Sequence, residues 1–559
     1  MTEQRSIEMR KTGKKQYVVW LALAVVLLVQ TVMMVYFGTQ KSGYHLDEML
    51  TYELSNYPEM YFSRTEGFVG SWVDGQFFQD ALTVDGLGDL DYSIAYRNQQ
   101  KDVHPPLYYF IIHTVSALFD GRLSKWAGIL PNMLCCLLAT VLLYAAANRL
   151  MKNRALALIT AAVWAWSVGG MSTAVFIRMY ALLTCIIMAL VLLHLEAFDN
   201  VRQGVLKKTT MAGLFLVTLM GILTQYYFLI ICFFLCGSFF LYLCISRRWK
   251  LVLQYAVVEV AALCAAVVLF PTMLYHIFGG YRGEEAFSNM VEGGNFLTSI
   301  KTIGTAISRQ VLNGWLKEGV LVLLLLLVAY LVRSRIAPPR RGRRDSQGEK
   351  KVPQGWTVTD GLVATVAVVA LGYFAIVAKV APYKTDRYFF GIYPLFALCL
   401  VYLTYRVLLL WVKKPQWCVL AVAVLSLGIT VASYQMQTVN YIYAPYQQRQ
   451  EALAPYEGYP VVTLTIYASG DYSADVFAME FPMFSQVYRC KNGDYAGVKQ
   501  AAQTRDIGDG FLLYVQDYKN MTHEAIREAL EQQVKLDQFE LLTEAGCRVY
   551  FCTLEEATP

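Results

Sequence analysis

The sequence predicts an α-helical polytopic membrane protein of about 11 spans, with a small α/β domain at its C-terminal end. Three observations lead there. The 559-residue chain is 56% hydrophobic and only 16% charged, where soluble proteins carry about 25% charge. Its apolar residues fall in blocks of about 20, the length that spans a bilayer. Its basic residues gather between those blocks. One water-soluble core is excluded, because such cores split beyond roughly 250–300 residues. The net charge of +6 is too small to indicate a nucleic-acid partner.

Residues 1–16 form a basic N-terminus with Arg5, Arg10, Lys11, Lys14 and Lys15. The first apolar block, Tyr17–Phe37, exceeds the 7–15 residues of a signal-peptide core and ends in bulky residues, so it reads as a retained helix entering from the cytoplasm. Further blocks follow at 127–148, 155–174, 179–198, 211–223, 226–245, 251–271, 319–333, 358–380, 388–411 and 417–437. Together, residues 17–437 form the transmembrane domain. Basic clusters at Arg149/Lys152/Arg154, Arg202/Lys207/Lys208, Arg247/Arg248/Lys250, 333–351 and Lys413/Lys414 orient it by the positive-inside rule. The N-terminus is then inside and the C-terminus outside, in the plasma membrane. Pro105–Phe119 is left over as a half-inserted or surface helix, the alternative being a twelfth short span.

This orientation places three segments outside: loop 38–104, loop 272–318 and a domain over 438–559. The first loop holds eleven Asp or Glu against four basic residues, most of them simply solvated. In the C-terminal domain, 461–468 and 510–517 read as strands by β-branched content, and GCRVYFCTL as a third. SADVFAMEF suggests a helix, and Thr522 is a good N-cap for another. Nine of the twelve cysteines lie in apolar blocks and read as small hydrophobes. Cys490, Cys547 and Cys552 fall in the outer domain, where an oxidising compartment allows one disulfide and leaves one thiol. No C-x-x-C or H-x-x-x-H spacing occurs, so a structural zinc site is not predicted.

Polar residues at membrane depth suggest function by default, and here they gather at the outer ends of helices. Five groups stand out. Asp47-Glu48 follow the first span closely and suit a base or a metal ligand; a solvated acidic pair is the plainer reading. Asp102-x-His104-Pro105-Pro106 sets a carboxylate and an imidazole where proline opens a helix. Arg178 begins an apolar helix on the side that the positive-inside rule leaves poor in cations. It either snorkels to headgroups or binds a phosphate bidentately. Lys384 and Arg387 share another outer turn. Tyr226 and Tyr227 sit at a tight helical turn, as an interfacial belt or a sugar platform. Together these groups suit transfer from a lipid phosphate to a hydroxyl: a carboxylate takes the acceptor proton and cations stabilise the leaving phosphate.

The order of these motifs resembles the bacterial membrane glycosyltransferases of the C-type fold (GT-C). The acidic pair, Asp-x-His-Pro-Pro-Leu-Tyr, Arg-Met-Tyr, Tyr-Tyr-Phe and Arg-Tyr run in that family's sequence. The nearest group is the family 39 type, related to protein O-mannosyltransferases and lipid A aminoarabinose transferases. The resemblance covers roughly residues 15–437 and implies a GT-C-like fold and an enzyme of the cell envelope. It would move a hexosyl or pentosyl group from a polyprenyl-phosphate donor to an acceptor at the outer face, usually with inversion. By position, Asp47 matches the general base, with Glu48 in support. Asp102 and His104 match a donor- or acceptor-binding motif, and Arg178, Arg387 and Lys384 match cations for the donor phosphate. No cofactor is certain from the resemblance; a divalent cation (Mg or Mn), with Asp47 and Glu48 as its ligands, stays open. Relatives often place His before Tyr-Tyr-Phe, where this chain has Gln225, so a role resting on that His is absent.

The expected partners are the lipid-linked donor, a protein, lipid or cell-wall acceptor, and membrane lipids. Two rivals remain. A transporter or flippase would put polar residues near the bilayer midplane in two related halves, and neither feature is evident. A polysaccharide polymerase or ligase would share the donor type but move a chain.

Overall fold

A computed structural model describes residues 2–62, 65, 67–291, 296–336, 357–412, 414–466, 473–505, 507 and 510–555, with backbone alone for 2–16, 333–336 and 473–474. Most of the basic segment 333–351, together with Glu66 and Lys413, lies outside the described residues.

Among the described residues, eight helices are long and apolar enough to cross a membrane: Tyr17–Gln40, Trp126–Met151, Tyr180–Arg202, Phe228–Ile245, Trp249–Leu269, Val358–Val380, Asp386–Trp411 and Pro415–Met436. Two bent pairs raise the number to as many as ten. Arg154–Ala165 and Val168–Val175 meet at 55°, and Phe296–Leu312 and Leu316–Val332 at 80°. The remaining expected span is Lys208–Ile222, whose 15 residues reach only ~22 Å against a ~30 Å hydrocarbon core. Leu107–Ala117, at 11 residues, is too short to cross. Apolar side chains such as Leu28, Phe233 and Val268 point out of the bundle, as lipid contact requires. The chain is thus an integral multi-pass membrane protein.

The expected outer loop 272–318 is largely helical instead, over Met273–Phe278, Tyr281–Val291 and Phe296–Leu312. The first bent pair breaks at Trp166-Ser167, where the Ser167 hydroxyl accepts from the Gly170 amide and starts a new helix. That second helix ends at Phe176 and delivers Ile177 and Arg178 to the site. Gly128 lets Trp126–Met151 pass close by: a Cβ there would lie 2.2 Å from Ile177 Cγ2 and 2.8 Å from Tyr52 Oη.

The C-terminal domain holds a six-stranded sheet. Its strands are β1 (Trp72–Asp74), β2 (Val461–Ile466), β3 (Gln486–Arg489), β4 (Phe511–Asp517), β5 (Leu536–Thr543) and β6 (Arg548–Leu554), in the order β1-β3-β2-β4-β6-β5. β2 runs parallel to β3 and β4; the other pairs are antiparallel. The expected strands at 510–517 and the C-terminal end form, and that at 461–468 forms over Val461–Ile466, its last two residues lying outside the described residues. Thr522 caps His523–Glu531, accepting from the Ala525 amide. The SADVFAMEF helix shrinks to Ser473–Val476. The unexpected feature is β1, which comes from loop 38–104 and pairs with β3 from Trp72 to Asp74. The sheet therefore extends beyond the expected 438–559 boundary.

All twelve cysteines are free, so the disulfide allowed by the sequence is not made. Cys490 follows β3 and Cys552 lies on β6, three strands away. At ~4.8 Å per strand that exceeds disulfide reach. Cys547 instead takes a contact from Arg449 Nη1 at 3.5 Å.

Candidate active site

The helix Leu46–Asn56 organises the site. His45 is its N-cap and forms a capping box with Glu48. The box turns the two acidic residues in opposite senses. Glu48 is fully buried, pairs with Lys41 at 2.9 Å, and accepts from the His45 amide at 2.7 Å and the Ile177 amide at 2.8 Å. Its oxygens are engaged, and it does not line the cavity that Asp47 faces. It braces the helix start against Ile177, the neighbour of Arg178. Asp47 faces the other way, into a cavity of about 410 Å³, within the size of small-ligand pockets.

Asp47 sits among cations. Arg387 Nη2 lies 3.1 Å from its carboxylate. Arg178 crosses above the helix start and donates to Asp47 O at 3.2 Å, Thr51 Oγ1 at 3.0 Å and Tyr109 Oη at 3.0 Å. Burial alone would raise the Asp47 pKa; Arg178 and Arg387, then His45 and His104, outweigh it and hold the carboxyl below its usual range. Asp47 is therefore ionised at neutral pH.

Asp102 and His104 form a second unit. His104 Nδ1 is 2.9 Å from Asp102 Oδ2, and Nε2 is 3.3 Å from Arg178 Nη2. An arginine only donates, so Nε2 accepts and the ring proton on Nδ1 points at Asp102. Tyr61 donates to the other Asp102 oxygen at 2.6 Å. Burial opposes ionisation here, but the hydrogen bonds from His104 and Tyr61 prevail, and Asp102 lies well below the ordinary carboxylate range.

Of the residues singled out in the sequence, Asp47, Asp102, His104, Arg178, Tyr226 and Tyr227 all line this one cavity. Arg387 lies directly behind Asp47, its side chain 8% exposed. Lys384 turns away. Its ammonium donates to Ala378 O and Ala381 O at 3.2 and 3.1 Å, closing the end of Val358–Val380 away from this cavity. Glu48 and Lys384 are thus structural in position.

The sequence reading missed several wall residues. Arg282 faces the cavity, paired with Glu285 at 2.6 Å and packed over the rings of Tyr281 and Tyr383. It carries the same signal as Arg178, a cation on the side poor in cations. His276 Nδ1 meets Tyr226 Oη at 2.9 Å and its Nε2 meets Gln100 O at 3.3 Å. That contact fixes the Tyr226 hydroxyl. His45 is in an unusual position: Nδ1 faces the Asp47 amide at 3.0 Å and Nε2 faces Arg387 Nη1 at 2.9 Å. Both neighbours are donors and a neutral ring has one bare nitrogen, so one of them goes unmet. Burial, helped by Arg387, Arg178 and Lys41 against the pull of Asp47, lowers the His45 pKa to about 4.

The whole chain superposes on the crystal structure of ArnT from Cupriavidus metallidurans bound to undecaprenyl phosphate. The TM-score is 0.51 at 13% identity, covering 96% of this chain and 98% of that one. The fold is that of ArnT. The apo form of the same protein matches at TM-score 0.46 and 12% identity, covering 97% and 98% of the two chains. AglB, an oligosaccharyltransferase from Archaeoglobus fulgidus, matches at 0.42 and 11%, covering 98% of this chain and 75% of that one. Residues 103–275 match a family model described as dolichyl-phosphate-mannose-protein mannosyltransferase. That stretch carries His104, Arg178, Tyr226 and Tyr227. No curated protein sequence matches. The ArnT fold bears out the GT-C-like architecture that the motif order implied.

Proposed function

We propose that the chain is a GT-C glycosyltransferase that moves a sugar from a polyprenyl-phosphate donor to an acceptor hydroxyl at the outer face of the membrane. One observation carries this reading: an ionised carboxylate, Asp47, in a cavity wall that also presents Arg178 and Arg282. The ArnT fold and the undecaprenyl phosphate named with that structure support the donor class.

In this reading the donor phosphate lies against Arg178 and Arg282, whose planar forks match phosphate oxygens. Tyr226, Tyr227 and Tyr388 give the sugar a wall. The acceptor oxygen attacks the anomeric carbon as the carbon–oxygen bond to phosphate breaks. Asp47 takes the hydroxyl proton, and polyprenyl phosphate leaves with its new charge met by the guanidiniums. Arg387 sets the position and ionisation of Asp47. Its hold also makes Asp47 a weak base in the empty site. A bound phosphate draws the guanidiniums' field toward itself and raises Asp47's basicity when the donor is present.

A divalent ion at Asp47 does not fit the residues around it. Glu48, the natural second ligand, is committed to Lys41 and two amides, while guanidiniums surround Asp47. The chemistry is assigned here to arginines.

The outer-face assignment rests on charge sorting. Helix ends carrying Arg149, Arg202 and Arg247 lie opposite, along their helices, to the ends that carry the site, as the positive-inside rule requires. The test uses purified chain in lipid nanodiscs with a radiolabelled polyprenyl-phosphate sugar and an envelope extract as acceptor. Label passing to acceptor, with one polyprenyl phosphate released per sugar, is expected. In sealed vesicles, uptake of intact donor without release would replace the enzyme by a transporter.

A further inference from the structure

We infer that His194, Cys236 and Glu259 form a binding site for a zinc-class divalent metal ion inside the membrane-spanning bundle, apart from the proposed active site. The three residues come from three helices, Tyr180–Arg202, Phe228–Ile245 and Trp249–Leu269. One ligand atom from each, an imidazole nitrogen, a thiol sulfur and a carboxylate oxygen, lies within 4.8 Å of the other two. Around a tetrahedral zinc, ligand atoms stand roughly 3.5 Å apart given bonds of about 2.0–2.3 Å. A contraction of about an ångström closes the site, within the reach of side-chain rotation.

The second shell is already built. His194 Nδ1 is 2.8 Å from Leu190 O, one turn back on its own helix. The carbonyl can only accept, so the ring proton sits on Nδ1 and Nε2 is bare, as a metal ligand needs. The Tyr255 hydroxyl donates to Nε2 at 2.8 Å, and a metal would take that lone pair in its place. Thr218 donates to Glu259 Oε2 at 2.9 Å. The other oxygen, Oε1, is shielded from solvent and has no hydrogen-bond partner among the described residues. Nor does Glu259 make an ion pair among them. A carboxyl halfway along a membrane helix, with one oxygen unmet, is costly unless something occupies the gap.

Charge decides the class of occupant. A thiolate and a carboxylate contribute two negative charges and the imidazole none. A divalent ion brings the cluster to neutrality, the state hydrocarbon surroundings favour. The mix of sulfur, nitrogen and one oxygen suits zinc rather than magnesium or calcium, which take oxygen ligands. A metal here would pin three helices whose outer ends carry cavity residues: Arg178 just precedes the first, Tyr226 and Tyr227 the second, and His276 follows the third.

The test is metal analysis of the purified full chain, followed by exchange with Co²⁺. About one zinc per chain is expected, with a thiolate-to-cobalt charge-transfer band after exchange. Cys236→Ser should abolish the band, and Glu259→Gln and His194→Ala should cut metal content at least about fivefold. Cys264→Ser, on a lipid-facing cysteine, should change nothing. The wild-type spectrum decides the matter even if a variant misfolds. Wild-type protein that holds no stoichiometric metal and gives no cobalt–thiolate band overturns the proposal, as does equal metal content in all variants.

Discussion

Asp47→Asn separates the chemistry of the site from its architecture. The change keeps the shape of the side chain and removes one negative charge. Two consequences can be sized. The first is the loss of the base: a positioned general base contributes typically 10²–10⁴-fold, so kcat should fall by that factor, about 3–5 kcal/mol of barrier at 1.36 kcal/mol per tenfold. The second is the loss of the ion pair with Arg387. Removing one partner of a fully buried pair costs about 3–5 kcal/mol. Here Asp47 is 27% exposed, so water can reach the pair. The cost should drop to about 1–3 kcal/mol, below the 5–15 kcal/mol that folds a typical domain. The variant should therefore insert and purify as a monodisperse protein. Deleting a negative charge beside the phosphate position should also leave undecaprenyl-phosphate binding intact or tighten it. The assays are single-turnover transfer from labelled donor and titration with undecaprenyl phosphate. Transfer within tenfold of wild type would remove Asp47 as the base. Loss of phosphate binding together with activity would mean that Asp47 builds the pocket rather than serving the reaction.

Arg387→Ala takes away a cation that lowers the Asp47 pKa, so the acidic limb of the kcat–pH profile should move to higher pH; an unmoved limb would dissociate the two residues. Arg282→Ala should raise the donor KM at least about tenfold, consistent with losing a charge-assisted contact, while the acceptor KM holds; equal effects on both would argue against phosphate contact. His45 titrates near 4 when folded against about 6.5 when unfolded. The unfolded chain thus binds the extra proton across that window, and stability should fall as pH drops from about 6.5 toward 4. His45→Gln should flatten this loss in a Tm-versus-pH series. Cysteines placed at 340–345 should be protected from impermeant reagents in intact cells and those at 480–500 labelled; the opposite pattern reverses the orientation.

The membrane helices were legible because hydropathy and length are local properties. Lys208–Ile222 fell short because its apolar block is brief, and loop 272–318 was misjudged because its helices are polar on one side. The carboxylates and Arg178 were legible because a costly residue at an apolar boundary needs a reason. Direction was not legible. Nothing local says that Glu48 turns to Lys41 while Asp47 turns to the cavity, or that Lys384 folds back onto two carbonyls. Those outcomes depend on tertiary neighbours. Strand β1 was invisible for a related reason: three residues, Trp72–Asp74, carry no alternation to read, and only pairing with β3 makes them a strand. Cys236 passed as a small hydrophobe because its partners, His194 and Glu259, are remote in sequence.

The C-terminal segment cannot be a passive appendage to the site. Tyr441 stacks on Phe176, ring centroids 4.0 Å apart, two residues before Arg178. Its carbonyl accepts from Lys41 at 2.6 Å, and Lys41 is the cation that holds Glu48. Asn440 and Tyr441 both reach Asp386, beside Arg387. On the far side of the Asp47 helix, burial first and then the neighbouring Asp475 push Glu53 well above the usual carboxylate range. Glu53 thus presents a neutral carboxyl to the C-terminal domain, where an ionised one would repel Asp475. Loop 38–104 returns the contact by donating β1. Both arginines beside Asp47, and the helix that carries it, are therefore held from two directions by residues beyond 438. Under the proposed function, an acceptor entering the cavity meets a wall whose alignment depends on that domain, and this coupling accounts for a membrane bundle that keeps a sheet whose own strands line none of the cavity.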